Sequence, residues 1–341
     1  VKETHRPEYE TVCSFGALIL NDDMDLLLQV NEYLNRVGMD SIAAGTTIAY
    51  VLEGVAEGFF KQEDFICQDY PNGFLPVWGD PTYILPLLKL MVTREGIGAK
   101  LADGTYQASQ HFPDTKEFAI HTNGAEMGMH DLRLTKSWGM SFVADPTPGR
   151  HTASNYDMGQ LGTPDFFPPL KPMIEKTADS YRQGEISVWS IKLHQVMESL
   201  GLCMFSYFFS DYRMLEMLAA VTGWDMTAEE IFEIGGRIQT TRQMFNAREG
   251  AIRHEITQRA QGSPPQKIGP IAGKAIDIET MVQGYYAGMG FQQDGVPTPE
   301  TLQSYGLDVM IADLEISTGA PAALVNAHLM NEVKRYAIKA E

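Results

Sequence analysis

The sequence predicts a mainly α-helical, multihelical protein with two all-α domains. Apolar residues recur at helical spacing along most of the chain, and these segments begin at aspartate, serine or threonine and end at glycine. Alternation typical of a strand is confined to Glu117–His121, which could form one of very few strands. The two helical domains are expected to comprise residues 1–120 and 121–341.

Aspartates mark the helix starts in the first predicted domain. Asp22 and Asp23 precede a helix that Gly38 closes, and Asp40 precedes a second helix whose last apolar position is Phe59. Each start offers a side-chain acceptor to the unpaired N–H groups of a first turn.

A third helix of this domain is predicted from Asp80–Pro81 to about Arg94, after a loop over residues 61–80. Aspartate followed by proline is a strong helix start, because proline suits the first helical position. Pro86 lies inside the predicted helix and is expected to distort it.

Four helices are predicted in the second domain. They cover residues 186–201, Asp211 to Gly223, a segment opened by the capping box Thr227–Glu230, and Asp277 to Gly288–Gly290. The Pro- and Gly-rich stretches 145–175 and 258–273 are predicted to be loops, and the first is long enough to suggest a functional role.

The charge and the cysteine content exclude several classes of function. A net charge of −18 argues against nucleic acid and anionic membranes, since both bind through lysine and arginine. No apolar run is long enough for a membrane span, and no secretory signal is present. Three widely spaced cysteines form no disulfide framework and fit a reducing, cytoplasmic compartment. The chain does not begin with methionine, so we expect a removed start or a longer parent chain.

Common catalytic motifs are not found in the sequence. It contains no Gly-x-Gly-x-x-Gly, no phosphate-binding Gly-Lys-Ser/Thr, no His-Glu-x-x-His and no Gly-x-Ser-x-Gly. Nothing therefore marks a hydrolase or a kinase independently.

The stretch Met197–Cys203 combines a carboxylate and a thiol at a helix end. The helical spacing before it places Glu198 on the last turn, and Gly201 is expected to end the helix in the left-handed conformation. A carboxylate can accept paired N–H donors from a heterocycle, and a thiolate is the ligand of iron–sulfur clusters. The alternative is a buried helix end with an inert Cys203.

Several different short motifs follow one another along most of the chain. They are Arg6–Thr11, Val37–Ile42, Arg94–Gly96 with Lys100–Gly104, Leu200–Cys203, Thr222–Asp225, Ile234–Ile238 and Met244–Asn246. In this order and spacing the chain resembles the tungsten-dependent aldehyde:ferredoxin oxidoreductase family. The resemblance covers that family's two C-terminal helical domains. The N-terminal β domain and its Cys-x2-Cys-x3-Cys run have no counterpart in residues 1–341.

The resemblance implies a tungstopterin, with two pterins on one tungsten or molybdenum, beside a 4Fe-4S cluster. Cys203 matches the fourth cluster ligand, and Glu198 stands where the family has a pterin-contacting aspartate, next to Gly201 and Leu202. Because one cysteine cannot hold a cluster, the missing N-terminal part, as a domain or a separate subunit, would be required for both cofactors.

The second pterin half-motif is expected at Asn35, Gly38 and Asp40. Asn35 stands in place of an aspartate, and an amide would weaken a charge-assisted bond to the pterin. In some family members a glutamate and a histidine bridge two subunits through a separate metal. Gln29 and Leu85 stand at those positions, so a homodimer is expected to form without the bridging metal.

Glu10 and His151 match the glutamate and the histidine that flank the tungsten, which implies that they are catalytic. Taken alone, they would be read as a solvated carboxylate and a loop histidine. Glu10 would take a proton, which suits a carboxylate whose pKa an apolar pocket raises, and His151 would polarise the substrate carbonyl. His121 and His130 are left as candidates for the pocket lining, with Glu126 between them as a structural residue.

The predicted function is the C-terminal part of an oxidoreductase that oxidises aldehydes to carboxylic acids with a ferredoxin-type electron acceptor. One alternative is a family member that acts on another substrate, such as an aromatic acyl-CoA, because a fold does not decide the reaction. The other is a non-catalytic or partner-dependent subunit, a scaffold or a truncated fragment that lacks the cofactor.

Overall fold

The structure is a computed structural model that describes residues 3–134, 136–152, 180–203 and 213–317. Its α-helices, in chain order, are α1 Tyr9–Phe15, α2 Met24–Val37, α3 Ser41–Ala56, α4 Ile84–Thr93, α5 Gly98–Leu101, α6 Gly104–His111, α7 Lys136–Ala144, α8 Ser180–Ser199, α9 Met214–Thr222, α10 Ala228–Arg248, α11 Gln258–Gln261, α12 Ile278–Met289, α13 Pro299–Ser304 and α14 Ile311–Ser317. The predicted multihelical fold is confirmed. No helix within the described ranges is long and apolar enough to cross a bilayer.

The chain divides into two compact units. The first unit contains residues 1–135, 147–151 and 254–276, and the second contains residues 136–146, 152–253 and 277–341. This grouping differs from a linear division at residue 120, because the segment 254–276 returns to the first unit. The assignment of family domains to 1–120 and 121–341 stays a prediction.

Helix α3 is the centre of the first unit and packs against α1, α4 and α6. Its core positions include Ile48, Val51 and Leu52, all at most 1% exposed. Gly45 allows α1 to come close, since a Cβ atom there would lie 2.6 Å from the Cβ of Ser14. The close packing of α1 on α3 fixes the position of the first turn of α1, where Glu10 lies.

The predicted caps of α2 and α3 are present. The Asp23 carboxylate accepts from the Leu26 N–H at 3.0 Å, and that of Asp40 accepts from the Ala43 N–H at 2.7 Å. Gly38 ends α2 with a φ of 69°, in the left-handed region that favours glycine.

The predicted helix from Asp80 to Arg94 is divided. Residues Pro81–Tyr83 form a 3-10 turn, capped by Asp80, and α4 follows directly. Pro86 therefore falls in the first turn of α4, where a residue has no intrahelical N–H partner to lose. The expected distortion inside a longer helix becomes a change of helix type before Ile84.

The prediction of a strand at Glu117–His121 is wrong. Residues Pro113–Phe118 form a 3-10 turn, and the nearby β structure consists of isolated bridges from Thr122 to Ala125 and to Ile256. The chain turns too soon for a ladder, because Asn123 and Gly124 take positive φ values of 49° and 84°.

The second unit is built on α8, which packs against α10 and α12. Glycines allow the α8–α12 contact: a Cβ on Gly184 would lie 1.9 Å from the Met281 carbonyl, and one on Gly284 would lie 2.0 Å from the Tyr181 carbonyl. Helix α8 begins at Ser180, earlier than the predicted residue 186.

The capping box that opens α10 is confirmed, with the Thr227 hydroxyl accepting from the Glu230 N–H and the Glu230 carboxylate accepting from the Thr227 N–H. Helix α12 is confirmed from Asp277, its cap, to Gly290. Helix α9 ends at Gly223 as predicted, while its expected start, Asp211, lies outside the described residues. Most of the predicted loop 145–175, from residue 153 on, also lies outside them.

Candidate functional site

Glu10 is held at the start of α1 by the loop around residue 129. Its Oε2 atom accepts a hydrogen bond from the backbone N–H of Met129 at 2.6 Å. The hydroxyl of the preceding Tyr9 donates to the Met129 carbonyl at 3.2 Å. The first turn of α1 and this loop are thus joined by two polar contacts, which orient the Glu10 carboxylate.

Two histidines meet the other oxygen of Glu10. Its Oε1 atom lies 2.9 Å from Nε2 of His130 and 3.3 Å from Nε2 of His151. The side chains of Glu10, His130 and His151 are 14%, 21% and 23% exposed. The structure thus brings together the two predicted catalytic residues and adds His130, which the sequence suggested only as pocket lining.

Aromatic packing defines the orientation of His130. Its ring stacks on that of Tyr9, with centroids 5.2 Å apart and planes inclined by 21°. The rings of His130 and His151 lie 5.0 Å apart at an angle of 40°. The hydroxyl of Tyr9 also donates to the Met129 carbonyl. Tyr9 therefore contacts both the His130 ring and the backbone next to it.

A glycine gives the cluster its space. A Cβ atom on Gly128 would lie 2.6 Å from Nδ1 of His151 and 3.3 Å from Oε1 of Glu10. Only a residue without a side chain lets the backbone lie this close to the two functional groups. Gly128 belongs to the candidate site, although nothing in the sequence distinguished it from the other glycines.

The electrostatics of the cluster favour an anion beside a neutral imidazole. Burial raises the pKa of Glu10, but the contact with His130, the N–H of Met129 and the positive charge of a protonated His151 together lower it below its ordinary value. Burial lowers the pKa of His151, and Arg150 adds to the effect, while Glu10 opposes it. The expected increase in the pKa of Glu10 is therefore wrong, since the pocket is lined by donors.

His121 and Glu126 are not part of this cluster. Glu126 accepts from the backbone N–H and the hydroxyl of Thr105, at 2.6 and 2.9 Å, at the first turn of α6. Nε2 of His121 lies 3.8 Å from Glu255, and its ring contacts Tyr106 edge-on. Glu126 is structural, as the sequence suggested.

The residues predicted for one pterin lie at the last turn of α2, at its glycine end and at the cap of α3. Asn35, Gly38 and Asp40 are all exposed. The Asn35 amide donates to the Asn31 carbonyl at 2.8 Å, and Asp40 uses one oxygen to cap α3. Oδ1 of Asn35 and Oδ2 of Asp40 accept no hydrogen bond within the described part of the chain.

The residues predicted for the other pterin and the cluster lie at the end of α8. The N–H groups of Gly201 and Leu202 bond the carbonyls of Glu198 and Met197 at 3.0 and 2.9 Å, a glycine-ended pattern in which Gly201 has a φ of 71°. Glu198 and Cys203 are exposed, and the Cys203 side chain is a thiol.

A small cavity lies beside this helix end. It has a volume of about 180 Å³ and is lined by Thr152, His194, Met197, Glu198 and Leu202. Nδ1 of His194 donates to the Ser190 carbonyl at 2.7 Å, which points Nε2 away from its own helix backbone. Sequence reasoning missed His194, which was hidden among the apolar residues of α8.

The two positions at which a bridging metal was excluded lie in one groove of the first unit. Gln29 and Leu85 both line a groove of about 930 Å³ between α2 and α4. The absence of a bridging metal stays a prediction.

Comparison with known proteins identifies the class of this chain. Residues 1–307 match the family described as aldehyde ferredoxin oxidoreductase, domains 2 & 3. The tungsten-containing aldehyde ferredoxin oxidoreductase of Pyrococcus furiosus is 28% identical over 316 residues, which cover 90% of this chain and 49% of the relative. The corresponding protein of Pyrococcus abyssi is 27% identical over 317 residues, covering 91% of this chain and 50% of the relative.

More distant relatives carry other names. The aliphatic sulfonate oxidoreductase, WOR-like subunit, of Pyrococcus furiosus is 25% identical over 317 residues, covering 88% of this chain and 46% of the relative. A chain of the solved active site complex BamBC of benzoyl coenzyme A reductase, in complex with 1,5-dienoyl-CoA, has a TM-score of 0.64 at 18% identity. That match covers 89% of this chain and 49% of the solved chain, and it shows a shared fold.

The fold and the sequence match define a multihelical protein of a family that is named for an oxidoreductase. The chain belongs to the aldehyde ferredoxin oxidoreductase family, and it matches the second and third domains of that family. It spans about half the length of the curated relatives that it matches.

Proposed function

We propose that this chain is the C-terminal, two-domain part of a tungstopterin and iron–sulfur oxidoreductase that converts aldehydes to carboxylic acids. The observation that supports the proposal most directly is the Glu10 carboxylate within 3.3 Å of His151, in a chain whose relatives include tungsten-containing enzymes. The two electrons of the oxidation would leave to a ferredoxin-type acceptor.

The chain's own residues fit a pterin on chemical grounds. Pterin rings present N–H donors, and the exposed oxygens of Asn35, Asp40 and Glu198 are acceptors. Oδ1 of Asn35 and Oδ2 of Asp40 accept no hydrogen bond from the residues that the structure describes. These three residues would hold the two pterins, and the turn at Gly38 and the helix end at Gly201 would position them.

The exposed Cys203 thiol fits one corner of an iron–sulfur cluster. A 4Fe-4S cluster takes four such ligands, and the whole sequence has only three cysteines. The remaining ligands would come from polypeptide outside residues 1–341, either a preceding domain or a separate subunit.

The reaction balances as aldehyde plus water giving carboxylic acid, two electrons and two protons. The metal centre, when bound, supplies the two-electron acceptor. Glu10 is anionic near neutral pH and would accept the proton that water loses as it adds to the carbonyl carbon. A neutral His151 can donate N–H to the carbonyl oxygen, on which negative charge develops.

Elemental analysis tests this function directly. Protein purified without oxygen from its own source would be analysed for tungsten, molybdenum and iron, together with its intact mass. About one tungsten or molybdenum and about four irons per complex, with a second chain or a larger mass, would support the proposal. Metal-free protein at the mass of 341 residues would contradict it for this chain alone and favour a scaffold or an excised fragment.

A second candidate is a family member with another substrate, which the sulfonate oxidoreductase relative favours. That relative is similar to this chain over nearly the same length as the aldehyde enzymes, and its name describes a subunit. Reduction of an electron acceptor dye by the metal-loaded protein would be compared for aliphatic aldehydes, aromatic aldehydes and sulfonates. For aromatic acyl-CoA thioesters, which would be reduced, oxidation of a reduced donor dye would be followed instead. Activity with a sulfonate or a thioester, and none with aldehydes, would rule out aldehyde oxidation and support the second candidate.

A further inference from the structure

We propose that Glu126 is a positioning residue for the proposed reaction. Its carboxylate binds the first turn of α6 and thereby fixes the loop whose Met129 N–H holds Glu10. Glu126 would act through this loop and not by contact with the substrate. The inference rests on the proposed function, and all the residues that carry it belong to the first unit.

Glu126 caps α6 in place of the residue that begins this helix. Asp103, at the N-cap position, makes no side-chain cap hydrogen bond, and its carboxylate pairs with Arg94 at 2.8 Å. Oε1 of Glu126 accepts from the backbone N–H of Thr105 at 2.6 Å and from the Thr105 hydroxyl at 2.9 Å. A carboxylate is favourable at this helix end, because the unpaired N–H groups there carry partial positive charge. The start of α6 is therefore joined to a loop 21 residues away in the chain.

Two glycines allow Glu126 to lie close to its neighbours. A Cβ atom on Gly104 would lie 2.6 Å from Oε1 of Glu126, and one on Gly149 would lie 2.5 Å from the Glu126 carbonyl oxygen. Both glycines have positive φ values, 89° and 72°, which other residues rarely adopt. Glu126 is thus packed between the start of α6 and the segment 147–151, which ends at His151.

The chain leads directly from Glu126 to the group that orients Glu10. Met129 follows three residues later, and three residues of extended chain span at most about 10–11 Å. The Met129 N–H donates to Oε2 of Glu10 at 2.6 Å. A tight turn precedes Glu126, in which Thr122 and Ala125 exchange hydrogen bonds of 2.8 and 2.9 Å. Because the loop is short and held before Glu126, a displacement of Glu126 should move the Met129 N–H.

The position of the Met129 N–H affects both the charge and the geometry of Glu10. Burial raises the pKa of Glu10, and His130 and the Met129 N–H oppose this effect and lower it. Loss of the donor should therefore raise the pKa of Glu10 and leave its carboxylate less fixed. Misplacement of a reacting group by about 1 Å can cost about 10²-fold in rate. KM should change much less than kcat, because no contact with the substrate is removed.

The pKa of Glu10 can be followed by NMR of carbon-13-labelled glutamate carboxyl groups. The sample is the full chain together with any chain that purifies with it, and Glu10→Gln identifies the signal. In Glu126→Ala the Glu10 titration should move to higher pH, and kcat for aldehyde oxidation by metal-loaded protein should fall by about 10–10²-fold. Glu126→Gln keeps an oxygen that can accept from Thr105. Since burial raises the pKa of Glu126, a neutral amide should be tolerated there and should restore most of both properties.

Two further variants separate positioning from a loss of stability. Thr105→Val removes the hydroxyl donor and keeps the backbone bond, so it should shift the Glu10 titration in the same direction by less. It replaces Glu126→Ala if that variant does not fold. Thr115→Val removes a buried hydroxyl of the same unit, which donates to the Phe112 carbonyl at 2.6 Å. This control should lower the free energy of unfolding in urea without changing the Glu10 titration.

Three results would overturn the proposal. The first is an unchanged Glu10 titration in folded Glu126→Ala or, in its place, Thr105→Val. The second is an equal shift in Thr115→Val, which would trace the change to lost stability. The third is a shift in Glu126→Gln as large as that in Glu126→Ala, which would show that the hydrogen bonds are not responsible. Metal content decides the proposed function, whereas the titration decides whether Glu126 controls Glu10, so either can fail alone.

Discussion

Glu10 Oε1 lies 2.9 Å from Nε2 of His130, across 120 residues of sequence, in a contact that neither residue's local pattern suggests. The same oxygen faces His151. A carboxylate beside two imidazoles in one partly buried pocket can exchange protons with them.

Replacing the Glu10 carboxylate with an amide should abolish most activity. Glu10→Gln keeps the shape of the side chain but removes the base, and general base catalysis contributes about 10²–10⁴-fold, so kcat should fall by that factor. The measurement is steady-state aldehyde oxidation by metal-loaded protein. The exposed Glu8→Gln should retain full activity. Equal tungsten content in both variants is required, and an unchanged kcat in Glu10→Gln would exclude its role as the base.

The pH dependence of stability should report the lowered pKa of Glu10. A group whose pKa is lower in the folded state stabilises the fold above its unfolded pKa, and this contribution is lost as the pH falls through the folded pKa. The unfolded value is about 4.5, so the loss should occur below pH 4.5. Urea unfolding at a series of pH values should show the stability difference between unchanged protein and Glu10→Gln shrinking in that range. A stability difference that grows on acidification would show that folding raises the pKa of Glu10 and does not lower it.

The buried ion pair of Asp145 and Arg242 should be sensitive to loss of one partner. The Asp145 side chain is fully buried, and its two oxygens lie 2.9 and 3.2 Å from the two terminal nitrogens of Arg242. Asp145→Asn should cost about 3–5 kcal/mol of the free energy of unfolding, since it leaves a partly buried guanidinium without its counter-charge.

The exposed pair of Arg182 and Glu185 provides the control for that prediction. Their side chains are 47% and 34% exposed, and the same kind of change, Glu185→Gln, should cost less than about 1 kcal/mol. Both values come from urea unfolding under one set of conditions. A similar loss of free energy of unfolding for the two substitutions would mean that the burial of Asp145 does not increase the importance of its ion pair.

Cys203 should be required for the iron–sulfur cluster. A serine hydroxyl is a much weaker iron ligand than a cysteine thiolate. Cys203→Ser should therefore lower the iron content of anaerobically purified protein. Cys67→Ser changes a half-buried thiol in the first unit and should leave iron unchanged. Iron would be measured per chain together with the visible absorption of the cluster. Normal iron in Cys203→Ser would remove this residue from the predicted ligand set.

Capping residues and glycines in the sequence predicted the ends of those helices that are terminated by contacts within a few residues of chain. The caps at Asp23, Asp40 and Asp277 and the glycine ends at Gly38 and Gly223 lie where the sequence indicated, because a cap is satisfied within three or four residues of chain. The short helices α1, α5, α6, α7, α11, α13 and α14 were missed, and α11 corrects the prediction that residues 258–273 are entirely loop. They are too brief for a periodic pattern to develop, and their stability comes from tertiary packing.

The candidate site was partly predictable. Glu10 and His151 were identified through the family resemblance, and the structure places them together, whereas their roles stay predictions. His130 was suggested only as pocket lining, and Gly128 was not singled out, because a histidine or a glycine in a loop is common. The direction of the pKa shift of Glu10 was misjudged, since the number of donors around a carboxylate depends on how the chain folds.

By itself the sequence determined the helical class and the caps and glycine ends of the longer helices, which follow from short-range spacing and residue type. The resemblance to a known family indicated the candidate ligand positions, which stay predictions. The tertiary structure alone decided that residues 254–276 join the first unit and that Glu10 faces two histidines. The physical reason is that such contacts join residues far apart in the chain. Their energy depends on the burial and geometry of the whole fold, which no local pattern encodes.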